Sequence, residues 1–316
     1  SPHLIHHTER IRVNDTCISL ADWERIYDQY EELFSLHKMT MFEMDLWMSL
    51  AYFIEQKVDY CIIEAGMGGR LDATTALDYQ ACLITNVGLD HTEYLGDTFE
   101  QIAYEKSGIF KPNVPALTTE DKPECQKVME LVADYMNTPL CFIDCQETDV
   151  LRWNGMTFHL NPPLYQAKNL SLALETLNVL GIWLEENEIQ EVIDHFQWAG
   201  RFMVLRKAPL VLLDGAHNVH GITALIHALK NFHGKIYFSV LKEKDAPHMI
   251  ELLQTISKDI TLVEISSARL YPLEKLGYPI ITVDELISRL LDTKEDSLLC
   301  GSLYYVGEVL EKWGNV

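Results

Sequence analysis

The chain has 316 residues, 48% of them hydrophobic, with a formal charge of −22 and seven cysteines. That charge opposes nonspecific binding to nucleic acid or to an anionic membrane surface, and no apolar run is long enough to span a bilayer. The cysteines are odd in number, scattered and without zinc spacing, which argues against a disulfide framework or a structural zinc and makes a reducing cytoplasm the expectation.

The length allows about two domains. Residues 5–20 are polar and irregular, with a turn at Asn14-Asp15. Apolar periodicity predicts a helix from Leu20 to Leu36 and a second from Met41 to Gln56. Val58–Ile63 is short, apolar and β-prone, so a strand buried in a parallel sheet is expected there. It ends at Glu64, and Gly66, Gly68 and Gly69 then permit a tight turn and close approach to a ligand. In open α/β sheets ligands sit outside the carboxyl ends of strands. The pattern is not a dinucleotide fingerprint, because its third glycine would fall at Leu71.

Ala81–Thr85 is a second buried strand, ending at Asn86-Val87-Gly88-Leu89-Asp90-His91. A lone histidine is more often structural, but one following a buried strand beside another that ends in a carboxylate is well placed as a ligand or acid/base. Asp97-Thr98 caps a helix reaching Lys106, which reads either as a lysine at a helix C-terminus or as a phosphate contact or modified lysine. A helix over 122–136, a strand over 140–143, a hairpin turning at Asn154-Gly155 and helices over 167–196 follow. From Leu210 strands and helices alternate, which predicts a second α/β domain with a mainly parallel sheet. Its first strand ends at Asp214-Gly215-Ala216-His217-Asn218, groups able to hold ribose hydroxyls and phosphate oxygens, and Arg201 before it has a fork suited to phosphate. The expected division is 1–205 and 206–316.

Taken together, Ser1-Pro2-His3-Leu4 with Glu9-Arg10-Ile11, Thr40-Met41-Phe42-Glu43, Glu64 to Ala73, Leu89-Asp90-His91-Thr92, Glu105 to Ile109, Gln166 with Asn169, Gly200-Arg201, Asp214 to Asn218, Lys244-Asp245 and Gly301 to Tyr304 occur in one order over the whole chain. In this the chain resembles the folylpolyglutamate synthase/dihydrofolate synthase family of the Mur ligase superfamily. The resemblance implies an α/β fold: a Mur-ligase-like central nucleotide-binding domain plus a C-terminal Rossmann-like domain. It implies an ATP-dependent ligase joining L-glutamate to a folate or to dihydropteroate, acting as a cytoplasmic monomer. It further implies two Mg2+ sites, with Ser1, Glu64, His91 and a carbamylated Lys106 as metal-binding residues, and His91, Lys106 and His217 as catalytic residues. Asn169, Arg201, Asp214, His217 and Asn218 match ATP contacts. Thr40, Met41, Phe42, Glu43, Leu71, Asp72 and Ala73 match the pterin pocket.

The family's phosphate-binding loop would precede the segment matching Ser1, so the chain is expected to be part of a longer one. Val219 stands where the family has proline, and Ser107 where it has alanine. Two further readings stand beside the ligase. One is a non-catalytic chain that binds a folate or a partner. The other, less favoured by Thr40-Met41-Phe42-Glu43, is a cell-wall Mur ligase.

Overall fold

The computed structural model describes residues 3–161, 163–229 and 232–314. They form two compact units that interleave along the chain. One holds the residues up to Gln146 together with Lys168–Trp183; the other holds Glu147–Ala167 and the chain from Leu184 on.

The first unit opens with a hairpin of β1 (Arg12–Val13) and β2 (Thr16–Cys17). Its turn residues Asn14 and Asp15 both take positive φ, 45° and 52°, as a tight two-residue turn requires. Helix α1 (Leu20–His37) starts where the Ser19 hydroxyl accepts the Asp22 N–H and stops at Lys38, whose φ of 49° breaks the spiral. Helix α2 (Met41–Gln56) starts on a Thr40/Glu43 capping box and stops at Lys57, also left-handed. Ile26 and Phe34 of α1 share one core with Met48 and Tyr52 of α2 and with Ile11 and Ile18.

There follow β3 (Cys82–Ile84), the single turn α3 (Thr92–Leu95), α4 (Phe99–Ser107), β4 (Ala116–Thr118), α5 (Pro123–Met136) and β5 (Leu140–Phe142). The strands form a parallel sheet, β3-β4-β5, with Cys82 opposite Ala116 and Ala116 opposite Leu140. Ile102 and Ala103 of α4 and Cys125 and Met129 of α5 close its core over Ile84 and Ala116. Burying each large apolar side chain is worth about 1.5–3 kcal/mol, which fixes α4, and with it Lys106, relative to the ends of β3 and β4.

One expectation is corrected here. Residues 58–63 belong to no strand among the described residues, and Tyr60 and Ile62 are 59% and 94% exposed rather than buried. Cys61 is exposed with them. Leu83 on β3 is also 39% exposed, so the sheet has an uncovered flank. A run of apolar residues has the same pattern whether or not a neighbour pairs with it; pairing is decided by sequence far away.

The chain continues with the hairpin β6 (Val150–Trp153) and β7 (Met156–His159), α6 (Gln166–Val179) and α7 (Glu186–His195). The hairpin turns at Asn154 and Gly155, both at positive φ as their types favour. Side chains of α7 complete the free edge of β7. Glu186 accepts the Thr157 N–H at 2.7 Å, and Gln190 accepts the His159 N–H at 3.0 Å while donating to the His159 carbonyl. This covers a strand edge that would otherwise be open to pairing.

The second unit is built on β8 (Met203–Lys207), β9 (Leu210–Leu213), α8 (Val219–Ala228), β10 (Lys235–Phe238), α9 (Ala246–Leu253), β11 (Ile260–Glu264), β12 (Ile280–Thr282), α10 (Val283–Asp292), β13 (Ser297–Cys300) and α11 (Leu303–Trp313). The sheet order is β12-β11-β10-β13-β9-β8, parallel except for β8, which runs antiparallel to β9. Strand β13 lies fully buried between β10 and β9, which explains its unbroken apolar run. The expected boundary at 205 falls inside β8, and the second unit also takes in the earlier hairpin and α7. No helix among the described residues is long and apolar enough to cross a membrane.

Candidate active site

Three segments of the first unit bring charge together. The run 58–63 leads to Glu64, the loop after β3 delivers Asp90, and the last turn of α4 delivers Lys106. Burial lowers the Lys106 ammonium from its ordinary value, and the charges of Asp90 and Glu64 act in the opposite direction. Both carboxylates are therefore near enough to act on the charge of this amine. A lysine within reach of two carboxylates, in a site that disfavours its charge, is a candidate functional group on physical grounds.

The glycine turn locks this arrangement. The Arg70 N–H donates to the Glu105 carbonyl at 2.8 Å, and the Arg70 guanidinium donates twice to Glu105 Oε1. Gly69 is buried so closely against the end of α4 that a Cβ there would lie 2.7 Å from Ile109 Cγ2 and 2.8 Å from the Lys106 carbonyl oxygen. Gly108 meets Arg70 as tightly, with 2.3 Å to its Cα. Glycine is required because backbone packs on backbone, a constraint visible only once the fold is formed.

His91 follows Asp90 directly. It takes a left-handed φ of 52°, donates its backbone N–H to Asp90 Oδ1 at 2.9 Å and begins α3. A positive φ at a residue other than glycine is a strained choice that clusters at functional sites. Its side chain is exposed and is not among the groups acting on Lys106. Ser1 lies outside the described residues. Asp90, absent from the metal set implied by the resemblance, is the residue the structure adds; its place beside His91 after a buried strand was the available signal.

The segments expected at a pterin pocket are placed as follows. Thr40 and Glu43 are engaged in capping α2, with the Thr40 N–H on Glu43 Oε2 at 2.7 Å. The Phe42 ring packs on the glycine turn, within 2.9 Å of where a Cβ on Gly66 would be. Asp72 closes that turn: one carboxylate oxygen accepts the Gly66 and Met67 N–H groups at 2.8 and 3.0 Å, and the other accepts the Thr74 N–H and hydroxyl. Ala73 begins the short helical turn behind it, while Leu71 is 81% exposed. Met41 lines a separate cavity of about 510 Å3 between α1 and α2, with Trp23, Tyr27 and Met48.

In the second unit, Asp214 at the end of β9 is 5% exposed. It accepts the Phe202 and Ala216 N–H groups, each at 2.7 Å. Burial raises its pKa; those two bonds, Arg201 and His217 pull the other way. Burial first, and then Asp214, push the Tyr165 phenol up to about 12, with Arg201 opposing. Tyr165, Arg201 and Asp214 are thus neighbours, and nothing in the sequence singled out Tyr165. His217 Nδ1 lies 2.8 Å from the Gly215 carbonyl oxygen, which can only accept, so Nδ1 carries the proton and Nε2 of the neutral ring is the acceptor. Asn218 caps α8 through the Gly221 N–H. Asn169 belongs to the other unit, on α6.

Comparison with known proteins follows this geometry. A model of the Mur ligase middle domain matches residues 23–161. The dihydrofolate synthase/folylpolyglutamate synthase of Bacillus subtilis (strain 168) is 29% identical over 355 residues, covering 99% of this chain and 82% of that one. Its counterpart in Escherichia coli (strain K12) is 30% identical, covering 98% and 78%. A crystal structure of the bifunctional folylpolyglutamate synthase/dihydrofolate synthase of Yersinia pestis, complexed with AMPPNP and Mn ion, superposes with a TM-score of 0.86 at 27% identity, covering 99% of this chain and 81% of that one. The chain belongs to the dihydrofolate synthase/folylpolyglutamate synthase family and carries the Mur ligase middle domain.

Proposed function

We propose that this protein is an ATP-dependent ligase that adds L-glutamate to a folate, to dihydropteroate, or to both, through an acyl phosphate. The observation that carries the reading is the convergence of Glu64, Asp90 and Lys106 from separate segments beside the glycine turn. That assembled group favours catalysis over the alternative of a non-catalytic folate-binding chain.

The acceptor carboxylate attacks the γ-phosphorus of ATP and expels ADP. The amine of glutamate then attacks the acyl carbon, expels phosphate, loses a proton and leaves an amide. A free carboxylate is a poor electrophile, so phosphorylation supplies the leaving group. The protein's task is to align several anions and offset their repulsion.

Glu64 and Asp90 provide the oxygen donors that a hard divalent cation takes. Mg2+ is held by one or two carboxylates and keeps waters and substrate phosphates as its remaining ligands. Bound there, Mg2+ would supply charge neutralisation for the phosphates. Two such sites with His91 in the second, and Ser1 in the first, complete the proposed metal set. Lys106 as found makes a group of two negative charges and one positive. Carbamylation would convert it to three negative charges facing the phosphates, which only cations could hold together.

Phe42, packed on the glycine turn at Gly66, and the exposed Leu71 that follows that turn are proposed to offer apolar surface to a flat pterin ring. Arg201, Asp214, His217, Asn218 and Asn169 are the proposed ATP contacts. The protein is further proposed to act as a cytoplasmic monomer.

The test is ligation itself. With ATP, Mg2+ and labelled glutamate, the protein is expected to extend dihydropteroate or a tetrahydrofolate by glutamate, with one ADP released per bond. Glu64→Ala should lower the rate about 100-fold, the upper range for loss of a metal-supporting group. No product with either acceptor, or full activity in Glu64→Ala, would overturn the reading.

A further inference from the structure

Glu120 is a buried carboxylate that the proposed chemistry does not use. It follows β4, its side chain is fully buried, and it reaches across to the loop that follows β3. One carboxylate oxygen accepts the Val87 N–H in a short contact. The other accepts the Lys122 N–H at 2.8 Å and the Lys122 ammonium at 3.1 Å. The neighbouring Thr119 hydroxyl donates to the Thr85 carbonyl at 2.7 Å, so the two strand ends are tied at successive points. Lys122 also lies over the Phe99 ring, 5.4 Å from its centre, at the start of α4, whose last turn carries Lys106.

Val87 is wholly buried and is the last such residue before Gly88, Leu89, Asp90 and His91. Its N–H is therefore the final fixed point of the loop that delivers Asp90 and His91. We infer that Glu120 is a positioning residue for this ligase: its carboxylate holds the Val87 amide and through it sets the loop that carries Asp90, near Glu64 and Lys106, and His91 after it. A carboxylate is needed because both of its oxygens face N–H donors. A glutamine could accept at only one of them and would turn its own NH2 toward the other. The inference rests on the function proposed above.

The test compares wild type with Glu120→Gln by three readouts: Mn2+ affinity in the presence of a non-hydrolysable ATP analogue, hydrogen exchange of the Val87 amide, and kcat and KM for ligation. Expected are about 10- to 100-fold weaker Mn2+ binding, the range for groups that orient metal ligands, with faster Val87 exchange and an unchanged KM for glutamate. In wild type alone, which needs no variant to fold, Mn2+ with nucleotide should slow Val87 exchange at least about tenfold, the lower end of that range. Unaltered Mn2+ affinity in Glu120→Gln, or a Val87 amide indifferent to Mn2+, would overturn the inference. If wild type itself binds no Mn2+, the ligase reading fails with it; if only Glu120→Gln is indistinguishable from wild type, this inference alone fails.

Discussion

Lys106→Ala is expected to abolish ligation, with kcat/KM lowered by about 100-fold or more, while the fold is retained. The cause is local. Lys106 is the positive group on which Glu64 and Asp90 act, and without it their negative charges lose that partner. Lys106→Arg separates the two roles the lysine could have. An arginine restores the positive charge but cannot capture CO2. If the ammonium is what the site requires, arginine rescues; if a carbamate is required, it does not, and we expect no rescue.

The pH dependence follows from the direction of the shift. Burial brings the Lys106 pKa below its ordinary value of 10.5, with Asp90 and Glu64 partly opposing. At any pH below that ordinary value, a group with a lowered pKa is deprotonated in a larger fraction of molecules than a surface lysine. Only the free amine bonds to the carbon of CO2, and it releases a proton in doing so. At fixed dissolved CO2, recovery of activity in protein stripped of CO2 should therefore rise as pH rises toward the folded-state pKa and level off above it. Recovery that falls with rising pH, or full activity in Lys106→Ala, would refute the assigned role.

Gly69→Ala should be nearly as damaging, although it adds one methyl group and removes no chemistry. The new Cβ would sit 2.7 Å from Ile109 Cγ2, 2.8 Å from the Lys106 carbonyl oxygen and 2.9 Å from that of Glu105. Two of these are backbone atoms in the last turn of α4 and cannot rotate away. The turn must then lift from the helix, loosening the Arg70 to Glu105 bonds and moving Lys106 relative to Glu64. Overpacking of this kind costs about 1–3 kcal/mol, and a displacement of about 1 Å at a reacting centre costs about 100-fold in rate. Thermal melting and kcat measured together check both. An alanine variant with wild-type rate would show that the contact between turn and helix does not set the site.

Much of this was legible in the residues. Helices with marked apolar periodicity, such as α1, α2 and α5, lie close to where their sequences place them. The Asn154-Gly155 hairpin and the alternation of strands and helices after Leu210 were equally plain. The failures share a cause. Residues 58–63 have the composition of a buried strand, but a strand exists only if something pairs with it, and Ile62 stands almost wholly in solvent. The boundary near 205 was drawn where composition changes, whereas β8 is a strand by virtue of its antiparallel partner β9. In the site, chemical type identified Glu64, Lys106 and Asp214. Asp90 stood in a motif whose histidine drew the attention, and Glu120 and Tyr165 became visible only once distant segments were brought together. Asp72 and Glu43, expected at the pterin, spend their carboxylates on backbone N–H groups, holding the pocket's frame.

The most direct measurement is oxygen transfer. If acceptor acid labelled with 18O in its carboxylate is ligated by this protein, each phosphate released should carry one 18O, because one carboxylate oxygen leaves with the phosphoryl group when the amide forms. Released phosphate free of 18O, with glutamate nonetheless joined to the acceptor, would contradict an acyl phosphate at this site.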